Sequence, residues 1–409
     1  MIQNGARRGL LHQPLKARRP EALALGLVLM SSALWVLWTP GSLDRFGALK
    51  GTDFAQFYVS ARLVATGRAG QLYDWSAYVH ELSSSVPGPE GLLYLPIYPP
   101  ALALGLAPLG SLGYLKAAAL WTLVSTGLYV LAGFVVATQF DVLRRDRVSV
   151  GLLLIGFPAF QQLLLYGQVS AIALGLVVLA WLAVTTGRTF WSGVALGALV
   201  FKPQMLTIAA LTLLAVPSWT LALGVLAGAV GELLIAGALL GSGVFVGYVE
   251  TLRRVLAHPA AFEPKAEQIQ SLRGFFLALG GDGAITLVLF LIAAMAVCVL
   301  AVRAARRTVS PHQSFAIVVL AGLLVNPHLY VYDLVLLVLP LAIASARVLD
   351  APVPDSHTRR LGVAAYTTYW LPLVAPALGL LHVQLMAPAM LWLLWMLSRV
   401  DPVRPTAGP

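Results

Sequence analysis

LLVNPHLYVYDLVLL, residues 323–337, is oily enough to lie inside a membrane, yet it is broken by Asn326-Pro327-His328 and then by Tyr330, Tyr332 and Asp333. Proline ends a helix because it has no amide donor and crowds the turn before it. Irregular backbone at membrane depth survives only where protein or a wet cavity satisfies its polar groups. The stretch reads as one helix ending at a membrane surface and a second beginning there, with His328 to Asp333 turned towards a shared cavity.

The rest of the chain has the same character. Of 409 residues, 59% are hydrophobic and 11% charged, whereas a soluble domain carries about 25% charged residues. Mean hydropathy is +0.84. Apolar runs recur from residue 21 to 398 without a long polar linker, so we read an all-α polytopic membrane protein with one integral-membrane domain. The formal net charge is +10, but the arginines sit in short clusters at the ends of apolar runs. They form no continuous basic face, which argues against nucleic acid and for topology and contact with membrane lipids. The single cysteine, Cys298, rules out an intrachain disulfide or a Cys-rich metal site.

Charge sets the orientation. A basic N-terminus, 1–20, precedes the apolar run 21–38, which contains Trp35 and Trp38. That run exceeds the roughly 7–15 residues of a signal-peptide core and lacks a small-residue cleavage site, so it reads as a retained first span. Later clusters are Arg144, Arg145 and Arg147; Arg303, Arg306 and Arg307; Arg347, Arg359 and Arg360; and Arg399 and Arg404, opening a tail at 399–409. The positive-inside rule makes all of them cytoplasmic. Further spans are expected near 114–138, 148–166, 168–187, 190–201, 204–216, 218–240, 284–302, 313–326, 328–348, 361–380 and 382–398. The total is twelve, or ten if the two short segments 190–201 and 204–216 form one re-entrant hairpin. Outer loops then cover about 39–113 and 241–283. In the first, Phe54, Phe57, Tyr58, Ala61, Val64 and Ala65, and then Trp75, Tyr78, Val79 and Leu82, recur at helical spacing and predict amphipathic helices lying on the membrane surface.

On this map Asp53, Tyr98 with Pro99 and Pro100, Tyr166 with Gln168, Lys202 with Gln204, Gln270 with Ser271, and Asn326 to Asp333 all fall on the outer side. The chemistry available is an acid, an amine, an imidazole and several amides and hydroxyls. It suits a general base, an anion-binding cation and partners for a polyhydroxyl substrate. With no Asp-x-Asp, His-x-x-x-His or Cys pair, no metal or other cofactor is expected. Each residue also has a plain reading. Asp53 suits a helix N-cap. Lys202 suits a side chain snorkelling to headgroups. His328 suits a helix cap, Tyr330 and Tyr332 suit an interfacial aromatic belt, and Gln168 suits a tight turn. Glu232, inside GAVGELLIAG, must be protonated, paired or beside a wet cavity. Short, broken spans also fit a transporter or flippase, although transport sites lie near the bilayer midplane rather than at one face.

GTDFAQFYVSARLVATGRAGQLYD, followed in order by YPP, GQ, FKPQ, QSLRG and NPHLYVYD, resembles glycosyltransferase family 87 over about residues 51–340. Ser170 and Ile269 depart from it, standing where that family often has Asn. The resemblance implies a C-type glycosyltransferase fold in a bacterial cytoplasmic (inner) membrane with an extracytoplasmic active site. A polyprenyl-phosphate sugar, mannose or arabinofuranose, would be the donor, and a glycolipid or glycan the acceptor. It implies Asp53 as base with His328 beside it, and Lys202 and Arg273 on the donor phosphate. Tyr98, Gln168, Gln204, Gln270, Ser271, Asn326, Tyr332 and Asp333 would line the substrate site.

Overall fold

The computed structural model describes residues 19–89, 91–258, 266–351 and 353–399. Nearly all of the basic N-terminus and of the tail, and residues 259–265 of the second loop, lie outside them. Among the described residues the structure is helical, with a single bridge between Leu43 and Leu49.

α1 (Arg19–Leu37) leads into the first loop, whose two periodic stretches form α2 (Phe54–Ala65) and α3 (Trp75–Ser85). The Asp74 carboxylate caps α3 by accepting from the amides of Ser76 and Ala77. α2 is more enclosed than a helix resting on a membrane surface: Phe54, Ala55, Phe57, Tyr58, Val59, Ala61 and Leu63 are all buried. The reason is α4 (Pro100–Gly110), an apolar helix inside the expected loop, which packs along α2. Glu81 of α3 accepts from both Arg62 and Arg68 at 2.6 Å and clips the two loop helices together.

α5 (Tyr114–Thr138) and the single turn α6 (Asp141–Arg144) follow, and then α7 (Arg147–Ile155) and α8 (Pro158–Tyr166), which meet at 51°. α9 (Ser170–Thr185) precedes the two short segments. The first is α10 (Thr189–Gly197) extended by a 3-10 turn, Ala198–Phe201; the second is a 3-10 turn, Pro203–Met205, extended by α11 (Leu206–Ala215). After α12 (Trp219–Leu240) the second loop contains α13 (Gly243–Ala257) and α14 (Leu272–Gly280), for which the sequence reading made no provision. α15 (Ala284–Arg307), α16 (Pro311–Val325), a 3-10 stretch at Val331–Leu337, α17 (Val338–Asp350), α18 (Ser356–Leu380) and α19 (Met386–Ser398) complete the bundle. Among the described residues five units are long and apolar enough to cross a bilayer unaided: α5, α12, α15, Val331–Asp350 and α18. The bent α7–α8 pair makes a sixth, and the other expected spans are shorter helices.

Hydrogen bonds and ring contacts sort the helix ends into two groups. At one end, Arg306 donates to the Leu214 carbonyl, Ser314 to that of Ala305 and Gln313 to that of Leu397. Phe140, Trp181 and His312 gather their rings there too. The clusters at Arg144–Arg147 and Arg303–Arg307, together with Arg399, adjoin these contacts in sequence. At the other end, the Asp53 amide donates to the Tyr166 carbonyl at 3.0 Å, and that of Gln270 to Leu329 at 2.7 Å. The 3-10 turn Pro203–Met205 and α11 therefore lead away from Lys202, which bonds Ser170 at the start of α9, to Leu214 at the first end. The segments 190–201 and 204–216 are thus two short apolar helices joined at the Lys202 break.

The crossing of α10 and α12 depends on small residues. Gly193 and Gly197 of α10 face Gly224 and Gly228 of α12, and a Cβ built at Gly228 would stand 2.2 Å from the Val194 carbonyl oxygen. Small residues four apart let backbones approach this closely. Gly228→Val should therefore destabilise the detergent-solubilised protein by about 1–3 kcal/mol, the usual cost of overpacking. Gly231→Ala, with nothing within 4 Å of the added carbon, should leave the thermal midpoint unchanged or slightly raised; equal losses in the two would remove the close crossing as the cause.

Candidate active site

Gly167 fastens the first part of the site. It ends α8 in the left-handed region, at φ 68°, a conformation open to glycine at little cost. A Cβ there would meet that of Phe54 at 2.8 Å, so the turn lies directly on the start of α2. The Trp121 indole donates to the Gly167 carbonyl at 3.0 Å and holds the turn from α5. The tight-turn reading of Gly167-Gln168 is correct, but Gln168 does more. Its side-chain amide donates to Asp53 Oδ2 at 2.7 Å.

Asp53 precedes α2, yet its carboxylate makes no capping bond, so the N-cap reading fails. The backbone is already helical at Asp53, φ −76° and ψ −20°, whereas a capping side chain ordinarily works from extended backbone. The carboxylate instead accepts from Gln168 and, at 3.4 Å, from the Tyr94 hydroxyl, which also bonds Thr52. Burial, and then the Asp53 charge, hold the Tyr94 phenol above its usual range. Burial, and then the carboxylates of Asp333 and Asp53, do the same to Tyr98. Both phenols thus remain hydrogen-bond donors and leave the role of base to a carboxylate. Tyr98 is set in place by the Tyr73 hydroxyl on its carbonyl at 2.7 Å and by the Phe57 ring at 5.0 Å.

Lys202 is the second anchor, and it does not snorkel. Its side chain is 1% exposed and forms an ion pair with Asp333, itself 0% exposed. Ser170 donates to the same Asp333 oxygen and accepts from Lys202 at 3.0 Å. The Asp333 carboxylate also accepts from the Tyr330 amide. Lys202, expected on a phosphate, and Asp333, expected on a sugar, are thus committed to each other. The break after α10, the start of α9 and the 3-10 stretch after Pro327 meet at this pair.

Tyr330 and Tyr332 are buried, which corrects the aromatic-belt reading. Tyr332 is a hub: its ring lies 5.7 Å from that of Tyr166, 5.6 Å from that of Tyr330 and 5.3 Å from the Lys202 ammonium. His328 sets its edge to Tyr330 at 4.6 Å, and its amide donates to Asn326 Oδ1 at 2.8 Å. Asn326, wholly buried, turns its amide nitrogen to the Met205 sulfur. Arg273 donates to the Pro327 carbonyl at 3.0 Å, joining α14 to the Asn-Pro-His turn.

The remaining residues stand further back. Gln270 donates to the Gln268 carbonyl and accepts from Gln384, a fastening residue that the sequence reading missed. Ser271 is buried, and its hydroxyl has no partner among the described residues. Gln204 is half-buried beside Lys202, and its carbonyl accepts from Thr207. Tyr94 was missed, because a lone aromatic residue in a loop carries no distinguishing spacing, whereas Tyr166 was already placed on the outer side beside Gln168.

A buried pair that loses one partner leaves an uncompensated charge, at a cost of about 3–5 kcal/mol. Lys202→Met and Asp333→Leu should each lower stability by that order, measured as thermal midpoint and solubilised yield. The double variant should recover much of the loss; additive losses would show that the two groups are not coupled.

The family model of glycosyltransferase family 87 matches residues 97–340. No curated protein and no solved structure matches the chain. The matched stretch carries Tyr98, Gln168, Ser170, Lys202, Arg273, His328 and Asp333. Asp53 lies before it and is joined to it by the Gln168 hydrogen bond. With more than half of its length matched, the chain belongs to glycosyltransferase family 87 and is a multi-pass membrane glycosyltransferase.

Proposed function

We propose that the protein transfers a glycosyl group, the hexosyl group mannosyl before the pentosyl group arabinofuranosyl, from a polyprenyl-phosphate sugar to a hydroxyl of a glycolipid or glycan. Transfer takes place on the extracytoplasmic face of a bacterial cytoplasmic membrane, with inversion and without a metal. One observation carries this reading: of the two carboxylates here, Asp333 is sealed and paired with Lys202, while Asp53 is half-buried and aimed by Gln168. Environments that separate two acids in this way assign their roles.

Asp53 takes the proton of the acceptor hydroxyl as that oxygen bonds to the anomeric carbon. The bond from this carbon to the phosphate oxygen breaks, and the phosphate leaves with the electron pair. It needs no proton from a general acid, because a phosphate is already a stable anion. Arg273, half-buried at the start of α14, is the cation assigned to that phosphate. Lys202 acts one layer behind, holding Asp333 and the Tyr332 ring in place. His328, beside Tyr330 at the same helix ends, orients the acceptor.

Incubating the purified protein with polyprenyl-phosphate mannose and with polyprenyl-phosphate arabinofuranose tests the donor; consumption of neither would sink the proposal. Asp53→Asn keeps shape and hydrogen bonding but removes the base. Transfer should fall at least about 10²- to 10⁴-fold, the scale of general-base catalysis, with donor binding and thermal midpoint retained. Wild-type turnover in this variant would remove Asp53 from the mechanism. Sidedness is checked in a Cys298→Ser background. Cysteine in place of exposed Ser83 should react with an impermeant thiol reagent in intact cells, and cysteine in place of exposed Arg145 should not; the reverse result would place the site on the cytoplasmic face.

A further inference from the structure

Glu232 has no part in the mechanism above. It lies in α12, where every other residue from Leu221 to Leu240 is Leu, Ala, Gly, Val or Ile. The side chain is half-buried, and among the described residues no hydrogen-bond partner lies against its buried Oε1. A carboxyl in such surroundings is costly and usually marks a functional position.

The helix register gives its depth. Gly193 meets Gly224, and a Cβ at Gly197 would meet Val225 and Ala229. Both helices run towards the end that holds Asp53 and Lys202. One turn beyond Gly228, Glu232 therefore stands across from the 3-10 turn Ala198–Phe201, which packs on α12 and leads directly into Lys202. α4, whose first turn follows Tyr98 and Pro99, packs on both α12 and that 3-10 turn. On α12 itself Leu234 is 67% and Ile235 59% exposed, which is the lipid-facing surface of the bundle. Glu232 thus lies where the bilayer, α12 and the outer wall of the site meet.

We propose that Glu232 binds a sugar hydroxyl of a lipid-borne substrate as it moves sideways from the bilayer past α12 and α4 into the site, the hydroxyl donating to Oε1. The proposal rests on the glycosyltransferase reading. Among the described residues no three His, Cys, Asp or Glu side chains gather, so a metal cation would find no shell of such ligands at Glu232. A phosphate would be repelled by a carboxylate and would gain little from a lone carboxylic acid. A neutral hydroxyl avoids both difficulties, and either the donor lipid or a glycolipid acceptor could bring it.

The test uses the full chain in lipid nanodiscs and dicyclohexylcarbodiimide, an apolar reagent for carboxyl groups in membranes, with peptide mass spectrometry to locate the adduct. Glu232 should be labelled, and labelling should be suppressed by polyprenyl-phosphate mannose or by a mannosylated diacylglycerol, but not by polyprenyl phosphate without sugar. The suppressing compound identifies the source of the hydroxyl. Glu232→Leu should raise the KM for that compound about tenfold, the scale of one lost buried hydrogen bond, with kcat kept and Glu232→Gln closer to wild type. An unlabelled Glu232, or labelling indifferent to sugar, overturns the proposal. Sugar-dependent protection without transfer from any polyprenyl-phosphate sugar would leave this site standing and remove the donor reading instead.

Discussion

The ion pair between Lys202 and Asp333 is the contact on which this end of the molecule depends. It joins three places where helical backbone is interrupted: the break between α10 and α11, the start of α9 at Ser170, and the 3-10 stretch after Pro327. Helix ends leave amides and carbonyls without intrahelical partners, and in a membrane protein water cannot be relied on to satisfy them. A sealed charge pair with a hydroxyl across it and a backbone amide on the acid meets much of that requirement in one cluster. The break at Lys202 is thereby a joint rather than a defect.

The same pair decides the chemistry. Asp53 and Asp333 are the two acids of the site, and they differ in what surrounds them. Asp333 is wholly buried and spends its charge on Lys202. Asp53 keeps partial access, and two of its partners, Gln168 and Tyr94, are neutral donors that orient the carboxylate. Tyr332 lies between the two, in contact with Tyr166 on one side and with Lys202 and Tyr330 on the other.

Glu232 extends this logic to the membrane face. A glycine-lined crossing brings α12 close to α10, and the carboxyl stands one turn beyond the last of those glycines. Its depth follows from a helix register, and on the same helix Leu234 and Ile235 are exposed.

Composition, hydropathy and the positions of the arginines determined the class, the longest apolar spans and the collection of polar residues at one end, because those properties follow from the cost of burying charge in hydrocarbon. The order of motifs from YPP to NPHLYVYD was enough to suggest the family. Tertiary structure alone decided what each polar residue does there. Asp53 occupies a cap position without capping, Lys202 looks like a snorkelling amine and is sealed in a pair, and Tyr330 and Tyr332 look like interfacial anchors and lie in the core. A charged or aromatic residue at a helix end has the same local sequence whether it faces headgroups, a substrate or a partner more than a hundred residues away, as Asp333 is from Lys202. Only the packing of distant helices, which closes some of these positions to solvent and leaves others open, separates the three.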